Sequence, residues 1–176
     1  MRCLLVVVAL ASSACAASPL TVVHQAPSNP IRGAAEFAVL PVEGPVEGTD
    51  PASLDEGRVC DTFAAYLRAK ARSSSLFVHR DVGTADFLIR PRIERLDPGG
   101  ASLLRARASR IVMRVDIERR DGTVVDVVRV ESSTRADPGR DAEELLDRDL
   151  RKISRALADY LGERSATDPD PQGPRS

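Results

Sequence analysis

The sequence has no tryptophan, only two histidines, and no long hydrophobic run or strong excess of charge. Aromatic residues make up 3% of the 176 residues, so the hydrophobic core is predicted to consist mainly of Val, Leu, Ile and Ala. Hydrophobic residues still amount to 43% of the chain, which is typical of a globular protein and too high for a disordered one. The length suits one domain with short appendages.

Because neither positive nor negative charge is in large excess, some classes of binding partner are disfavoured. The 25 basic and 26 acidic residues give a net charge of −1 at neutral pH. A near-neutral chain has no general attraction for nucleic acid or for an anionic membrane. We therefore expect no nucleic-acid partner, and any contact with a membrane must come from a specific feature of the chain.

The scarcity of histidine also disfavours catalysis. A zinc site needs three or four converging ligands, and Cys60, His79 and Asp81 would meet only by chance. No serine lies in a G-x-S-x-G setting, and no glycine-rich loop precedes a helix as a phosphate site requires. Cys60 falls on an apolar helical stripe and is interpreted as a small buried hydrophobe. The sequence therefore predicts a protein that is not an enzyme and has no metal and no cofactor.

The amino terminus has the pattern of an export signal. Met1 and Arg2 form a short basic start, residues 4–11 are apolar, and residues 12–14 are small. The apolar run is too short to cross a bilayer, which takes about 20 apolar residues. Residues 1–14 are predicted to be a signal peptide.

The small residues before Cys15 resemble a lipobox, the cleavage motif of bacterial lipoproteins. In that family the cysteine receives a diacylglyceryl group, a peptidase cuts before it, and fatty acyl chains such as palmitate anchor the protein. Ser12 stands where Leu is usual, so an ordinary secretory signal cut near Cys15, giving a soluble periplasmic protein, is the alternative. Because Ala16 and not Asp follows the cysteine, the resemblance implies the outer membrane, facing the periplasm. Lipidation of Cys15 would leave Cys60 without a disulfide partner in the mature chain.

The mature chain is predicted to have three parts. Residues 15–33, rich in Pro, Ser and Ala, are interpreted as the lipidated cysteine and a flexible tether. Residues 34–162 carry regular hydrophobic periodicity and are predicted to form an α/β domain. Residues 163–176 are polar and proline-rich and are predicted to form a disordered tail.

Hydrophobic periodicity within the domain predicts two long helices and four to five strands. The helices are expected at residues 53–72 and 141–161, and the strands at residues 37–42, 76–78, 86–96, 110–119 and 123–131. Ser53 and Glu56 form a capping box, Pro91 indicates an edge strand or a bulge, and Asp121-Gly122 indicates a hairpin. The order β-α-β-β-β-β-α predicts an α+β two-layer sandwich, with both helices on one face of a mostly antiparallel sheet.

Arginines recur on the polar side of the alternating strands. The candidate anionic-partner face consists of Arg90, Arg92, Arg110, Arg114 and Arg129. Guanidinium groups bind carboxylates and phosphates through paired hydrogen bonds, so lipid A phosphates, peptidoglycan carboxylates or an acidic protein are candidate ligands. The alternative is that these arginines neutralise the carboxylates beside them on the same strands, which are Glu94, Asp116, Glu118 and Glu131.

Three segments carry a family resemblance: FAVLPVEG at residues 37–44, ADFLIRPRIERL at 85–96 and IVMRVDIERRDGTVV at 111–125, followed by an amphipathic helix. Together they resemble a group of envelope lipoprotein domains that includes CsgG, the amino-terminal domain of TolB, LpoB and uncharacterised lipoproteins. The resemblance implies a non-enzymatic interaction or assembly module with an envelope protein partner. Accessory lipoproteins for lipid or glycan transport, of the LptE and PqiC kinds, have a related plan and are the alternative.

Overall fold

A computed structural model describes residues 19–34, 36–44, 56–79, 81–101, 106–136 and 141–166. The predicted signal peptide, the lipidation residue Cys15, the capping residue Ser53 and most of the predicted tail lie outside the described residues.

Two long helices and a sheet account for most of the described chain. The helices are α1 (Glu56–Ala71) and α2 (Ala142–Ser165). The strands are β1 (Leu20–Gln25), β2 (Glu36–Val39), β3 (Phe77–His79), β4 (Phe87–Asp97), β5 (Gly100–Ala101), β6 (Ala106–Arg107), β7 (Ser109–Arg119) and β8 (Val124–Thr134). Strands β5 and β6 form a separate two-stranded ribbon.

The main sheet has six strands in the order β1-β8-β7-β4-β2-β3. Strands β1, β8, β7 and β4 pair antiparallel, whereas β2 pairs parallel with both β3 and β4. Parallel strands need a crossover connection, and α1 supplies one between β2 and β3. The α+β prediction with two helices packed on the sheet is confirmed. The predicted strand number and mostly antiparallel character are corrected to a mixed sheet of six strands.

The additional strand, β1, comes from the segment predicted to be a tether. It pairs antiparallel with β8, and Ile31, later in the same segment, is fully buried. The prediction of a flexible tether over residues 15–33 is therefore wrong for the described part of that segment. Thr21, Val22 and Val23 are β-branched residues that favour strands, but the prolines and serines around them are typical of a linker and led to the tether prediction. At the other end, α2 continues to Ser165, three residues beyond Gly162, the predicted domain boundary.

The hydrophobic core lies between the helices and one face of the sheet. Its largest fully buried side chains include Phe37, Phe63, Leu67, Ile89, Ile111, Met113, Ile117, Ile153 and Leu157. Burying one such side chain contributes about 1.5–3 kcal/mol, so this layer fixes which face of each strand turns outward.

Pro91 lies in β4, a central strand, and not at the edge of the sheet. Its carbonyl oxygen accepts a hydrogen bond from the Glu43 amide at 3.0 Å, so its nitrogen faces the side of β2. Because β2 ends at Val39, the missing N–H of Pro91 removes no bond of the regular ladder. A bulge is present in β4, but it lies between Ile93 and Arg95.

Candidate functional site

The five arginines of the candidate anionic-partner face lie on the sheet face turned away from the helices. Successive strand residues point to opposite faces. Ile89 and Ile93 of β4 belong to the core, which turns Arg90 and Arg92 outward; the same alternation applies in β7 and β8. The structure therefore brings all five side chains to one surface.

Three of these arginines lie side by side across three strands. Arg92 of β4 is the register partner of Arg114 of β7, and Arg114 is the register partner of Arg129 of β8. Their side chains are 47%, 43% and 43% exposed, respectively. We call these three residues the arginine row. Like charges at directly opposite positions repel, so the row requires negative charge close by.

Carboxylates from the protein itself supply that charge. Arg114 Nε donates to Asp116 at 2.8 Å, Arg92 Nε lies 2.9 Å from Glu43, and Arg129 Nε donates to Glu94 at 2.9 Å. The hydrogen bond and the charge of Asp116 raise the pKa of Arg114.

The remaining two arginines of this face are also paired. Arg90 Nε donates to Glu118 at 2.9 Å, and Arg110 forms an ion pair with Glu131 at 2.6 Å. The geometry thus matches the alternative of internal neutralisation, and binding of an external anion stays a prediction. The pairs of Arg92, Arg110 and Arg129 join exposed groups and contribute only about 0–1 kcal/mol each, so a well-placed acidic partner can exchange with their carboxylates.

A groove of about 890 Å³ lies between α2 and the sheet edge formed by β1 and β8. Pro19 and Leu20 line it where the described chain begins, and Tyr160 contributes an aromatic wall. Basic and acidic side chains both line the groove, among them Arg155, Lys152, Asp159 and Glu163. This mixture of charges indicates no single class of ligand.

A buried ionic cluster beside β1 was not predicted from the sequence. Asp126 of β8 is fully buried and accepts hydrogen bonds from Tyr160 Oη at 2.8 Å, Arg164 Nε at 2.8 Å and the Ala26 amide at 3.0 Å. Burial and the hydrogen bond to Asp126 raise the pKa of Tyr160, so its hydroxyl remains a donor at neutral pH. The cluster joins β8, α2 and the end of β1. In the sequence, the cluster was indicated only by Asp126, the single acidic residue inside the apolar run TVVDVV.

A second buried carboxylate, Asp149, joins α2 to the sheet. It is fully buried and accepts hydrogen bonds from Ser109 Oγ at 2.6 Å, Ser132 Oγ at 2.7 Å and Thr134 Oγ1 at 2.5 Å. The Lys152 ammonium lies 3.7 Å from the same carboxylate. The spacing of Asp149 within the apolar stripe of α2 was the signal that could have identified it.

The two histidines, which are candidates for catalysis or metal binding, do not lie near each other. His24 is in β1 and His79 is in β3, at opposite edges of the main sheet. His79 Nε2 lies 3.9 Å from Glu36, and the half-buried Cys60 thiol lies 3.8 Å from the Val42 carbonyl oxygen. Within the described ranges there is no group of three His, Cys, Asp or Glu residues suited to a metal ion. Neither described helix has the length and apolar character needed to cross a bilayer.

Comparisons with known proteins identify a fold. No family model and no curated protein matches the sequence. Among solved structures, the hypothetical protein CT253 from Chlamydia trachomatis aligns with a TM-score of 0.50 and 14% identity, over 71% of this chain and 96% of that one. A variant of the PelC dodecamer from Paraburkholderia phytofirmans has a TM-score of 0.49 and 13% identity, over 79% and 97% of the two chains. Lipoprotein GNA1162 from Neisseria meningitidis has a TM-score of 0.43 and 10% identity, over 71% and 99%. The protein therefore has the fold of CT253.

Proposed function

We propose that the protein is an exported lipoprotein, anchored by acylated Cys15, that acts as a non-enzymatic interaction module of the cell envelope. The observation that carries the proposal is the position of Cys15, five residues before Leu20, the first residue of β1. The four peptide units from Cys15 to Pro19 span at most about 14 Å when extended. An acylated Cys15 would thus hold the β1 edge of the sheet next to the bilayer surface.

Two features support interaction over catalysis. The histidines lie at opposite sheet edges, and both fully buried carboxylates are engaged by donors from the protein itself. The arginine row instead lies on the outer face of the sheet with its side chains more than 40% exposed, which suits contact with a macromolecule. Membership of the CsgG, TolB amino-terminal and LpoB-like group, and location at the outer membrane, are part of this proposal.

The surface proposed to contact a partner is the arginine row. Its three guanidinium groups occupy consecutive strands and remain more than 40% exposed. A partner with two or more acidic side chains, as far apart as neighbouring strands, would replace Glu43 and Glu94 as hydrogen-bond acceptors of Arg92 and Arg129. Asp116, whose side chain is only 6% exposed, would remain bound to Arg114. We therefore propose an acidic protein of the envelope as the partner.

Replacing the anchor residue tests the first half of this proposal. In cells expressing Cys15→Ser, protein that has lost residues 1–14 is expected to leave the membrane fraction, because position 15 no longer has a thiol for acylation. Cys60→Ser is the matched control, since it removes a thiol that lies in α1, and it should stay membrane-bound. Quantitative immunoblotting of membrane and soluble fractions provides the measurement. Retention of Cys15→Ser protein that lacks residues 1–14 in the membrane fraction at the parent level would contradict lipid anchoring.

Charge reversal in the arginine row tests the second half. A photo-crosslinking residue at position 95 of the lipidated chain, which is exposed on β4 beside the arginine row, is expected to yield a defined adduct in cells, and Arg114→Glu should reduce that adduct about tenfold. Arg155→Glu is the control, because Arg155 is exposed on α2 and has no ion pair among the described residues. Equal loss of the adduct in both variants would show that overall charge, and not the arginine row, controls binding.

A further inference from the structure

Strand β1 adds little to the hydrophobic core. Within it Leu20 is partly buried, but the five residues that follow are exposed, with Val22 and Val23 at 42% and 58%. A β-bulge between Val22 and His24 also interrupts its pairing with β8. Detachment of β1 would therefore expose little apolar surface, and hydrogen bonds rather than packing supply most of the free energy that holds it in place.

The segment after β1 is held more firmly. Ile31 is fully buried in the core, and the Gly33 amide donates to the Ser165 carbonyl oxygen of α2 at 2.9 Å. Between this fixed point and β1 lie residues 27–30, with a proline at each end and Asn29 at a φ of +39°. A positive φ is costly for a residue other than glycine, so a change of conformation at Asn29 would relieve strain. This turn can therefore act as a hinge.

The polar contacts at the end of β1 can break without leaving a buried charge unpaired. The Ala26 amide donates to the Val125 carbonyl oxygen at 2.9 Å and to the Asp126 carboxylate at 3.0 Å. Asp126 also accepts from Tyr160 and from Arg164, both at 2.8 Å, and these two donors belong to α2. When Ala26 moves away, the carboxylate and the guanidinium still neutralise each other. The buried cluster thus remains closed between β8 and α2.

We propose that β1 is a releasable strand: residues 20–26 detach from β8 as one unit, while Ile31 and the residues after it stay in place. Release would lengthen the chain between the anchor and the domain. The peptide units from Cys15 to Pro19 span at most about 14 Å, whereas the roughly 15 units from Cys15 to Pro30 span about 50 Å when extended. The domain would then reach partners farther from the bilayer.

The longer reach rests on the proposed acylation of Cys15, but the detachment of β1 does not. A soluble chain with an unmodified Cys15 would release the strand in the same way. Failure of the anchor and failure of strand release are therefore separate results.

Native-state hydrogen exchange of the full chain, purified from the cell fraction that contains it and followed by NMR, tests the proposal. The Glu131 amide, which donates to Pro19 at 2.8 Å, and the Ala26 amide report on the two ends of β1. Because successive strand residues direct their amides to opposite sides, the Val130 amide turns to β7. We expect Glu131 and Ala26 to share one protection factor, about a hundredfold or more below those of Val130 and Gly33.

Replacing an exposed valine of β1 by glycine should favour the released state. Val22→Gly is expected to accelerate exchange at both Glu131 and Ala26 roughly tenfold, because glycine gains more conformational freedom on release and favours strands less than valine. Val82→Gly is the matched control, since Val82 is 40% exposed and follows β3 at the other edge of the sheet. An equal effect of the two substitutions would contradict a release confined to β1.

Three exchange patterns would also overturn the inference. Protection of Glu131 and Ala26 equal to that of Val130 would mean that β1 leaves only when the whole domain unfolds. Fast exchange at Glu131 with Ala26 as slow as Val130 would mean that only the start of the strand frays. Exchange at Gly33 as fast as at Glu131 would mean that the fixed point at Ile31 opens too.

Discussion

Asp126→Asn is expected to lower the free energy of unfolding by about 3–5 kcal/mol, because it leaves a buried positive charge without its counter-ion. The Arg164 side chain is only 11% exposed, and Asp126 is fully buried. The partners of Asp126 in this cluster include the Arg164 guanidinium and the Ala26 amide, which can only donate hydrogen bonds. The amide nitrogen of an asparagine could donate to the Tyr160 hydroxyl, but it would still face the Arg164 guanidinium, whose buried positive charge would have lost its counter-ion.

Denaturant unfolding followed by circular dichroism measures the effect of Asp126→Asn. Asp159→Asn is the control, because Asp159 is an exposed α2 carboxylate, 3.4 Å from Lys70, whose loss should cost at most about 1 kcal/mol. Removing both charges with Asp126→Leu and Arg164→Met should restore most of the lost stability, since no uncompensated charge remains. A loss for Asp126→Asn no larger than that of Asp159→Asn would contradict the role assigned to this cluster.

Asp149→Ala is expected to lower the free energy of unfolding by about 3 kcal/mol or more, because three buried hydroxyl groups lose their charged acceptor. Ser109, Ser132 and Thr134 all donate to this one carboxylate. Asp149→Asn should cost less than Asp149→Ala, because a hydroxyl can turn to accept a hydrogen bond from the new amide.

The two buried aspartates thus differ in how they tolerate asparagine. Unfolding of the three single variants, Asp126→Asn, Asp149→Asn and Asp149→Ala, provides the comparison. At position 149 the asparagine variant should retain most of the parent stability. Equal losses for Asp149→Asn and Asp149→Ala would mean that the negative charge, together with Lys152 at 3.7 Å, holds α2 on the sheet, and not the hydroxyl hydrogen bonds.

The long amphipathic elements of this fold follow from the sequence. Helix α2 has an unbroken apolar stripe and an aspartate, Asp141, whose side chain accepts from the Glu144 amide at its start. Strand β7 alternates so regularly that the outward direction of Arg110 and Arg114 is set by the inward direction of Ile111 and Met113. In such elements burial of one face outweighs local propensity, so periodicity alone predicts the structure.

Strand β1 and the mixed sheet could not be predicted by the same reasoning. All residues of β1 after Leu20 are exposed, so no alternation between core and solvent marks the strand. The parallel pairs of β2 depend on where α1 returns the chain, which is a property of the whole fold and not of any short segment.

Strand periodicity predicts that the five arginines of the candidate site share one face of the sheet. It does not predict which carboxylates they pair with. Arg129 meets Glu94 of β4, a residue 35 positions away in the chain, and only the packing order of the strands brings the two together. In the sequence, Asp126 looks like an isolated acid in an apolar run, and Asp149 looks like one of several charged residues on an amphipathic helix. Their donors come from elements distant in the chain, so their pairing depends on tertiary structure.

Mass spectrometry of the amino terminus of the native protein tests the central claim most directly. We expect the chain to begin at Cys15, without residues 1–14, and to carry the added mass of a diacylglyceryl group with fatty acids on the thiol. A chain that retains Met1 in the soluble cell fraction would contradict both export and anchoring. A chain cut near Cys15 with an unmodified residue at its start would contradict the lipid anchor and leave only secretion.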